Sequence, residues 1–564
     1  MFFNRFNVNR QRPFIGFIVA GAIAVLAIAI ALFYWFFPKN PASLVSPTSQ
    51  PGATIFVSKL SPVIVSLLTN PDSLQALEGD GELSKLKTSF LAKSGIDYQE
   101  DIKPWLGNEI TLAITTLDLD RDPENGQQPG YLLALATKQP EKTREFVELL
   151  FSKRALAGAN LNVEEYKGIK LISDNPQGIA ESKIQNNLAG AVVGGGFVLF
   201  ANDAKVLREA INNVQAPDLN LTSSFEYQKA TKELPKGSIA IAFLNLPIVA
   251  KWQGLELAEQ TYDSEIISLL LKPKGLLAET AFVSSLESVS PSPSLTKPVG
   301  ALQYIPSSAG LAISGSNLSN LANTDVAKLW KQAAATIYGS QEDVVSQLLK
   351  PLGDVQKVWG VNLPKDIFTW VQGEYAIALL PQKQTTPRWI FVAEKSEGVE
   401  QGVANLDAIA SSNGLTISPV TIDNQKIAAW TELTTASKKT NDNNRPSFTI
   451  EAKVRGAHTT LGNYEIFTSD LETMDEIFTA KENSLINNPN FQESIAAIPR
   501  PNQGYIYLDW AKSQDLLERQ IPILKLVEVV GKPFFNNLRS LTVSSYGTNT
   551  QALKGGIFFQ LNNS

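Results

Sequence analysis

Few side chains in this sequence are of a type and spacing that could do chemistry. Nucleophilic catalysis of the Ser-His-Asp or Cys-His kind would have to use His458, in RGAHTTLGNY, because it is the only histidine and there is no cysteine. No G-x-S-x-G elbow accompanies it, and it reads as a surface residue of a hairpin. Without histidine or cysteine clusters, only a hard cation held by oxygen could be bound. Asp118, Asp120 and Asp122 in DLDRDPENG have calcium-loop spacing, but Pro123 stands where the turn glycine belongs and Pro129 where the bidentate glutamate belongs. The loop reads as a solvated hairpin tip. Gly194, Gly195 and Gly196 lead into a strand, whereas a phosphate cradle opens a helix, so a hairpin turn is expected there. Paired carboxylates remain: Asp101 with Glu109, and Asp366 with Glu374. A glycosidase needs two acids roughly 5–10 Å apart in a cleft, which spacing along the chain does not establish.

These acids recur because the chain repeats. Asp101, Ile102, Trp105 and Glu109 in DIKPWLGNE match Asp366, Ile367, Trp370 and Glu374 in DIFTWVQGE at an offset of 265. FANDAKVLREAI from Phe200 matches FTSDLETMDEIF from Phe467 at 267, which gives His458 the counterpart Ala191. YQKATKELPKGSIAIAFLN from Tyr227 matches FQESIAAIPRPNQGYIYLD from Phe491 at 264. Three collinear blocks with nearly equal offsets mark a duplication. Residues kept in both copies read as structural: Trp105 and Trp370 as core anchors, Asp101 and Asp366 as caps or turn formers. No catalytic, cofactor-binding or metal-binding residue is assigned, and no cofactor is expected.

The elements around these markers follow from periodicity. Ile110, Leu112 and Ile114, like Tyr375, Ile377 and Leu379, alternate as half-buried strands do. Helices are expected over Glu141–Phe151 and Val326–Tyr338, with Asn202 or Asp203 capping one further helix and Ser469 with Glu472 forming the capping box of its counterpart. Ile450, Ala452 and Val454 alternate with Glu451, Lys453 and Arg455, so one sheet face is wet, which favours antiparallel α+β modules. Residues 118–130 and 434–447 read as mobile loops.

The N-terminus differs from all of this. Phe14 to Phe37 is an uncharged run of 24 residues preceded by Arg5, Arg10 and Arg12 and closed by Tyr34, Trp35, Phe36 and Phe37. Its length suits a membrane-crossing helix, and the basic flank predicts a cytoplasmic N-terminus. The expected order is therefore 1–13 cytoplasmic, 14–37 transmembrane helix, 38–52 spacer, 53–286 module one, 287–300 linker and 301–564 module two. With four basic residues before position 50, the exported part holds 49 − 4 = 45 Lys plus Arg against 55 Asp plus Glu. Such an acidic body repels nucleic acid and an anionic lipid surface at long range, and neither is expected as its partner.

The anchor, spacer, D-I-x-x-W blocks and F/Y-Q-x(6)-P blocks together resemble an uncharacterised cyanobacterial family of single-pass membrane proteins, domain-of-unknown-function family 3352. The resemblance implies a plasma or thylakoid membrane, with the body in periplasm or lumen, and transfers no active-site residue. The function expected is a membrane-tethered binding or assembly protein without catalytic activity, engaging an envelope or thylakoid protein. A carrier of an apolar ligand, lipid or pigment, is the alternative; a carboxylate-dependent hydrolase, with two convergent acids in a cleft, comes third.

Overall fold

The computed structural model describes residues 50–69, 98–122, 124, 126–174, 187–252, 262–286, 294–338, 362–382, 387–438, 447–480, 483–520 and 532–562. Twenty strands form one sheet, and every pairing in it is antiparallel. In the first half lie β1 (Val63–Leu67), β2 (Leu106–Thr116), β3 (Gly130–Thr137), β4 (Leu161–Tyr166), β5 (Ile169–Asp174), β6 (Ala189–Val193), β7 (Phe197–Ala201), β8 (Ser238–Asn245), β9 (Ser264–Lys272) and β10 (Gly275–Val283). The second half supplies β11 (Leu311–Gly315), β12 (Tyr375–Leu380), β13 (Arg388–Glu394), β14 (Thr416–Ile422), β15 (Gln425–Lys438), β16 (Ser447–Leu461), β17 (Tyr464–Thr468), β18 (Tyr505–Asp509), β19 (Leu538–Ser545) and β20 (Ala552–Leu561). Helices α1 (Pro140–Leu156), α2 (Ala204–Gln215), α3 (Phe225–Thr231), α4 (Asp325–Tyr338), α5 (Val399–Ser412), α6 (Leu471–Thr479) and α7 (Pro489–Ala496) pack on its faces.

Followed from neighbour to neighbour, the strands run β4-β5-β6-β7-β3-β2-β1-β8-β9-β10, then β20-β19-β18-β11-β12-β13-β17-β16-β15-β14. The second series is the first reversed, so a pseudo-two-fold axis passes through the β10–β20 pair, where Glu279 faces Gly556. The registers carry the duplication independently of side chains. Val63 opposes Leu244 and Ile114, and Leu311 opposes Leu508 and Leu379; with Leu244 matched to Leu508 at 264, Ile114 falls on Leu379 at 265. Two strands further, the same walk places Ala201 on Thr468 at 267. These are the offsets of the sequence markers.

The expectation of two tandem modules with sheets of their own, behind a transmembrane helix, is corrected. The copies are fused edge to edge, because β10 finds its second neighbour in β20 over nine residue pairs. Among the described residues no helix is long and apolar enough to cross a membrane, and the run 14–37 lies outside them. On one face each copy has a core of its own: Ile64, Ala113, Leu199 and Leu207 under α2 and α3, and Ala312, Ile390, Ile466 and Met474 under α6 and α7. On the other face a single core crosses the seam, joining Val63, Leu244 and Phe282 to Leu311, Leu379 and Leu553. Burying that shared surface couples the copies in addition to the backbone ladder.

Several local expectations are revised. Asp203 caps α2 through Lys205 N, and Asp470, not Ser469, caps α6 through Thr473 N at 2.8 Å. Ser469 Oγ instead accepts from Trp389 N, while Glu472 reaches toward Arg388. Of the expected loop 434–447, residues 434–438 belong to β15 and Ser447 opens β16; residues 439–446 lie outside the described set.

Candidate functional site

The repeated residues are engaged by the backbone in the same way twice. Trp105 Nε1 donates to the Asp101 carbonyl at 2.6 Å, and Trp370 Nε1 donates to the Asp366 carbonyl at 2.8 Å. Glu109 accepts from Gly52 N and Ala53 N at 2.8 and 2.9 Å, fastening the first 3-10 turn, Gly52–Phe56. Glu374 does the same for Gly300 N at 2.6 Å at the head of Gly300–Tyr304, and also accepts from Tyr464 Oη. Each carboxylate satisfies N–H groups that a turn start leaves without partners. Gly52 and Gly300, at the ends of the expected spacer and linker, are thereby held in their modules.

The acidic loop satisfies itself. Asp118 accepts from Gln128 N, Asp120 from Asp122 N and Gln128 Nε2, and Asp122 from Glu124 N. Among the described residues, no three His, Cys, Asp or Glu are grouped to hold a metal. Asp118 instead helps line an open cleft of about 330 Å³ with Arg121, Lys205, Arg208 and Glu209. Gly194 and Gly195 have φ of 60° and 69° and make the β6–β7 hairpin turn, conformations that favour glycine.

His458 is not a surface residue. It is 9% exposed, stacks on Phe467 with ring centroids 5.5 Å apart, and its Nε2 lies 3.1 Å from Asp407 Oδ1 on α5. The same Asp407 oxygen accepts from Trp430 Nε1 at 2.7 Å. Its counterpart is Gly190 rather than Ala191, since Gly190 opposes Phe200 as His458 opposes Phe467. A Cβ on Gly190 would meet Phe151 Cε2 at 2.7 Å, so α1 fills with an aromatic ring the place His458 takes in the second copy.

One acid was not singled out in the sequence. Glu265, in SEIISLLLK, is 5% exposed, opposite Leu244 and Phe282, and burial raises its carboxyl to about 7 against a lowering hydrogen bond from Thr280 Oγ1 at 2.9 Å. Its signal was a lone charge in an apolar strand. A hydrolase would need a second acid beside it; the described contacts of Glu265 are Thr280 and apolar neighbours.

At the seam, a cavity of about 230 Å³ is lined by Glu233, Ile266, Glu279, Pro499, Tyr546 and Lys554 among others. Tyr546 Oη donates to Glu279 at 2.7 Å, Lys554 pairs with Glu233, and burial followed by the Glu279 charge pushes the Tyr546 phenol far above its usual range. Over the face with the shared core, one register level crosses the seam without a charge: Ile110, Leu67, Ala240, Leu269, Ala278, Ile557, Val543, Ile506, Ile313 and Ile377. Ile557 is 38% exposed and Leu112, on the neighbouring level, 40%; Leu67, Val65, Val543, Ile506 and Ile313 are half-buried. Ala240 and Leu269 between them are buried, so the lane opens at Ile557 and Leu112 rather than along its whole length.

The molecule is thus a duplicated antiparallel α+β protein. The chain belongs to the family described as "Protein of unknown function (DUF3352)", whose match covers residues 18–561. No curated protein matches it. Two solved structures, crystal forms I and III of TP0453, are similar over 43% of this chain and over 81% and 84% of theirs, with 8% and 9% identity and TM-scores of 0.23 and 0.22. At those scores the likeness says nothing about fold or function.

Proposed function

We propose that this is a non-catalytic binding or assembly protein, attached to a membrane through its uncharged N-terminal stretch 14–37, that engages an envelope or thylakoid protein. A cyanobacterial setting and a body in periplasm or lumen are part of the same reading and rest on sequence resemblance. The observation that carries the binding function is the charge-free register level that crosses the seam, on and beside which Ile557 and Leu112 stand 38% and 40% exposed. Large apolar side chains exposed on such a face suit contact with a partner. The repeated carboxylates support the non-catalytic part, since both are spent on backbone N–H groups.

The test is affinity purification of the tagged full chain from mildly solubilised membranes, with proteins and extracted lipids or pigments identified together. A stoichiometric protein, lost with Leu112→Glu plus Ile557→Glu, is the expected result. A bound lipid or pigment without a protein partner would replace this reading with the apolar-ligand carrier, which the charge-free lane also favours.

A further inference from the structure

The two modules differ at one surface in a way the fold does not require. In module one, Ile55, Leu60, Leu219 and Phe225 are 36, 65, 49 and 60% exposed. The turns that bear them are tied together: Lys59 N donates to Leu219 O at 2.9 Å, Leu221 N to Val57 O at 2.8 Å, and Ser58 bridges Asn220. Module two builds the same corner, with Ser307 N donating to Asn483 O and Pro306 bridging Ser484, so the residues correspond one to one. There the four positions are Gln303, Ser308, Asn483 and Pro489, all exposed. The same architecture thus forms with three polar residues and a proline in these places, and the four large apolar side chains of module one serve something other than folding.

We infer that this corner of module one docks on a lipid bilayer surface. The inference rests on the membrane attachment proposed above. Its support is position: Ile55 lies in the first turn, Gly52–Phe56, five residues from Gln50, where the described part of the chain begins and from which residues 1–49, with their uncharged run, lead away. A surface beside the attachment meets the bilayer at high effective concentration, so a modest apolar patch suffices. Lys59 is exposed beside Leu60, and Lys229 Nζ lies 5.8 Å from the Phe225 ring centroid; Asp218 and Glu226 are the acids nearest in sequence. Apolar side chains flanked by lysine suit the interface between acyl chains and head groups. Docking there would set the sheet at a fixed attitude to the membrane instead of leaving it free on its spacer.

The chain has no cysteine, so single labels can be placed at will. Full-length Leu60→Cys, Leu219→Cys, Ser308→Cys and Asn483→Cys, each carrying a polarity-sensitive fluorophore, would be reconstituted into phosphatidylcholine–phosphatidylglycerol vesicles with and without brominated acyl chains. Bromolipid quenching at positions 60 and 219 but not at 308 and 483 is expected. Unlabelled protein should show slowed amide exchange over 52–60 and 217–225 on vesicles, lost in Ile55→Gln/Leu60→Ser/Leu219→Asn, whose residues are those module two already uses. Equal labels at both corners on protein that still floats with the vesicles would overturn the docking alone. Protein that fails to float would overturn both the attachment and the docking. Protection that appears only with a co-purified protein or with rising density of this chain, and not with lipid, would assign the corner to a protein partner or a second copy and likewise overturn it.

Discussion

At the helix that follows β3 or β13, the two modules fasten helix to sheet with opposite polarity. In module one the cation is on the helix and the acid on the sheet: Arg154 of α1 pairs with Asp174 of β5, beside the aromatic plug Phe151 over Gly190. In module two the acid is on the helix: Asp407 of α5 accepts a hydrogen bond from Trp430 Nε1 of β15 and faces His458 of β16. Asp174 and Trp430 are themselves equivalent by register. A helix needs some anchor at this place, but the fold does not dictate which. Residues that differ between copies are therefore where function or history is recorded, and residues that agree, such as Trp105 and Trp370, record the architecture.

The largest effect should come from those tryptophans, and it should differ in reach. Trp105 belongs to a satellite core with Phe146, Phe151 and Phe200, whereas Trp370 belongs to the core that crosses the seam. Either change to alanine should cost about 3–5 kcal/mol in urea unfolding. Amide exchange should accelerate in α1 and β4–β7 for Trp105→Ala, but across both modules for Trp370→Ala. Identical exchange maps would break the distinction between satellite and shared core.

Glu265 comes next, because module two has Leu541 at its place. Its folded-state value of about 7 lies above the ordinary carboxylate value of 4.5. The native state therefore binds the extra proton between those limits, and stability falls as pH rises from 4.5 toward 7. Glu265→Leu should remove that slope, stabilising the chain by about 3 kcal/mol more at pH 8 than at pH 4. A pH-independent difference between the variant and the parent chain would show that the carboxyl is not buried in this way.

Converting one anchor into the other tests the comparison directly. Gly190→His should cost about 1–3 kcal/mol, since Phe151 already fills the space. Combining it with Phe151→Ala should cost less than the two changes added together, and strict additivity would mean that the two side chains do not compete. The smallest effect is expected at Lys554, whose side chain is 25% exposed and paired with Glu233 across the seam. Lys554→Met should cost about 1 kcal/mol or less, with the coupling read from a cycle with Glu233→Gln.

The duplication was legible in the sequence because insertions between markers are few and the same Asp, Trp and Glu recur, the Trp bonding to the Asp carbonyl four residues back and the Glu to a distant turn. Both glycine and acidic hairpins were legible from local sequence. The fusion of the modules was not, since a β10–β20 ladder is made by backbone groups and carries no side-chain signature. The burial of His458 was hidden by the offset itself: a single added residue between β6 and β7 turns Ala191 into Gly190 as its partner and reverses the face. Glu265 shows the converse, a buried charge whose strand still alternates as an apolar one.

Strand β20 is also made after every other described strand. Glu279 and Gly556, its partner, lie 556 − 279 = 277 residues apart. At about 5–20 residues per second of synthesis, β10 stands with one open edge for roughly 15–55 s before its neighbour exists. An open edge invites pairing with another chain. In that interval the open edge can accept the C-terminal strand of a finished copy, and the hazard at this edge ends when β20 arrives.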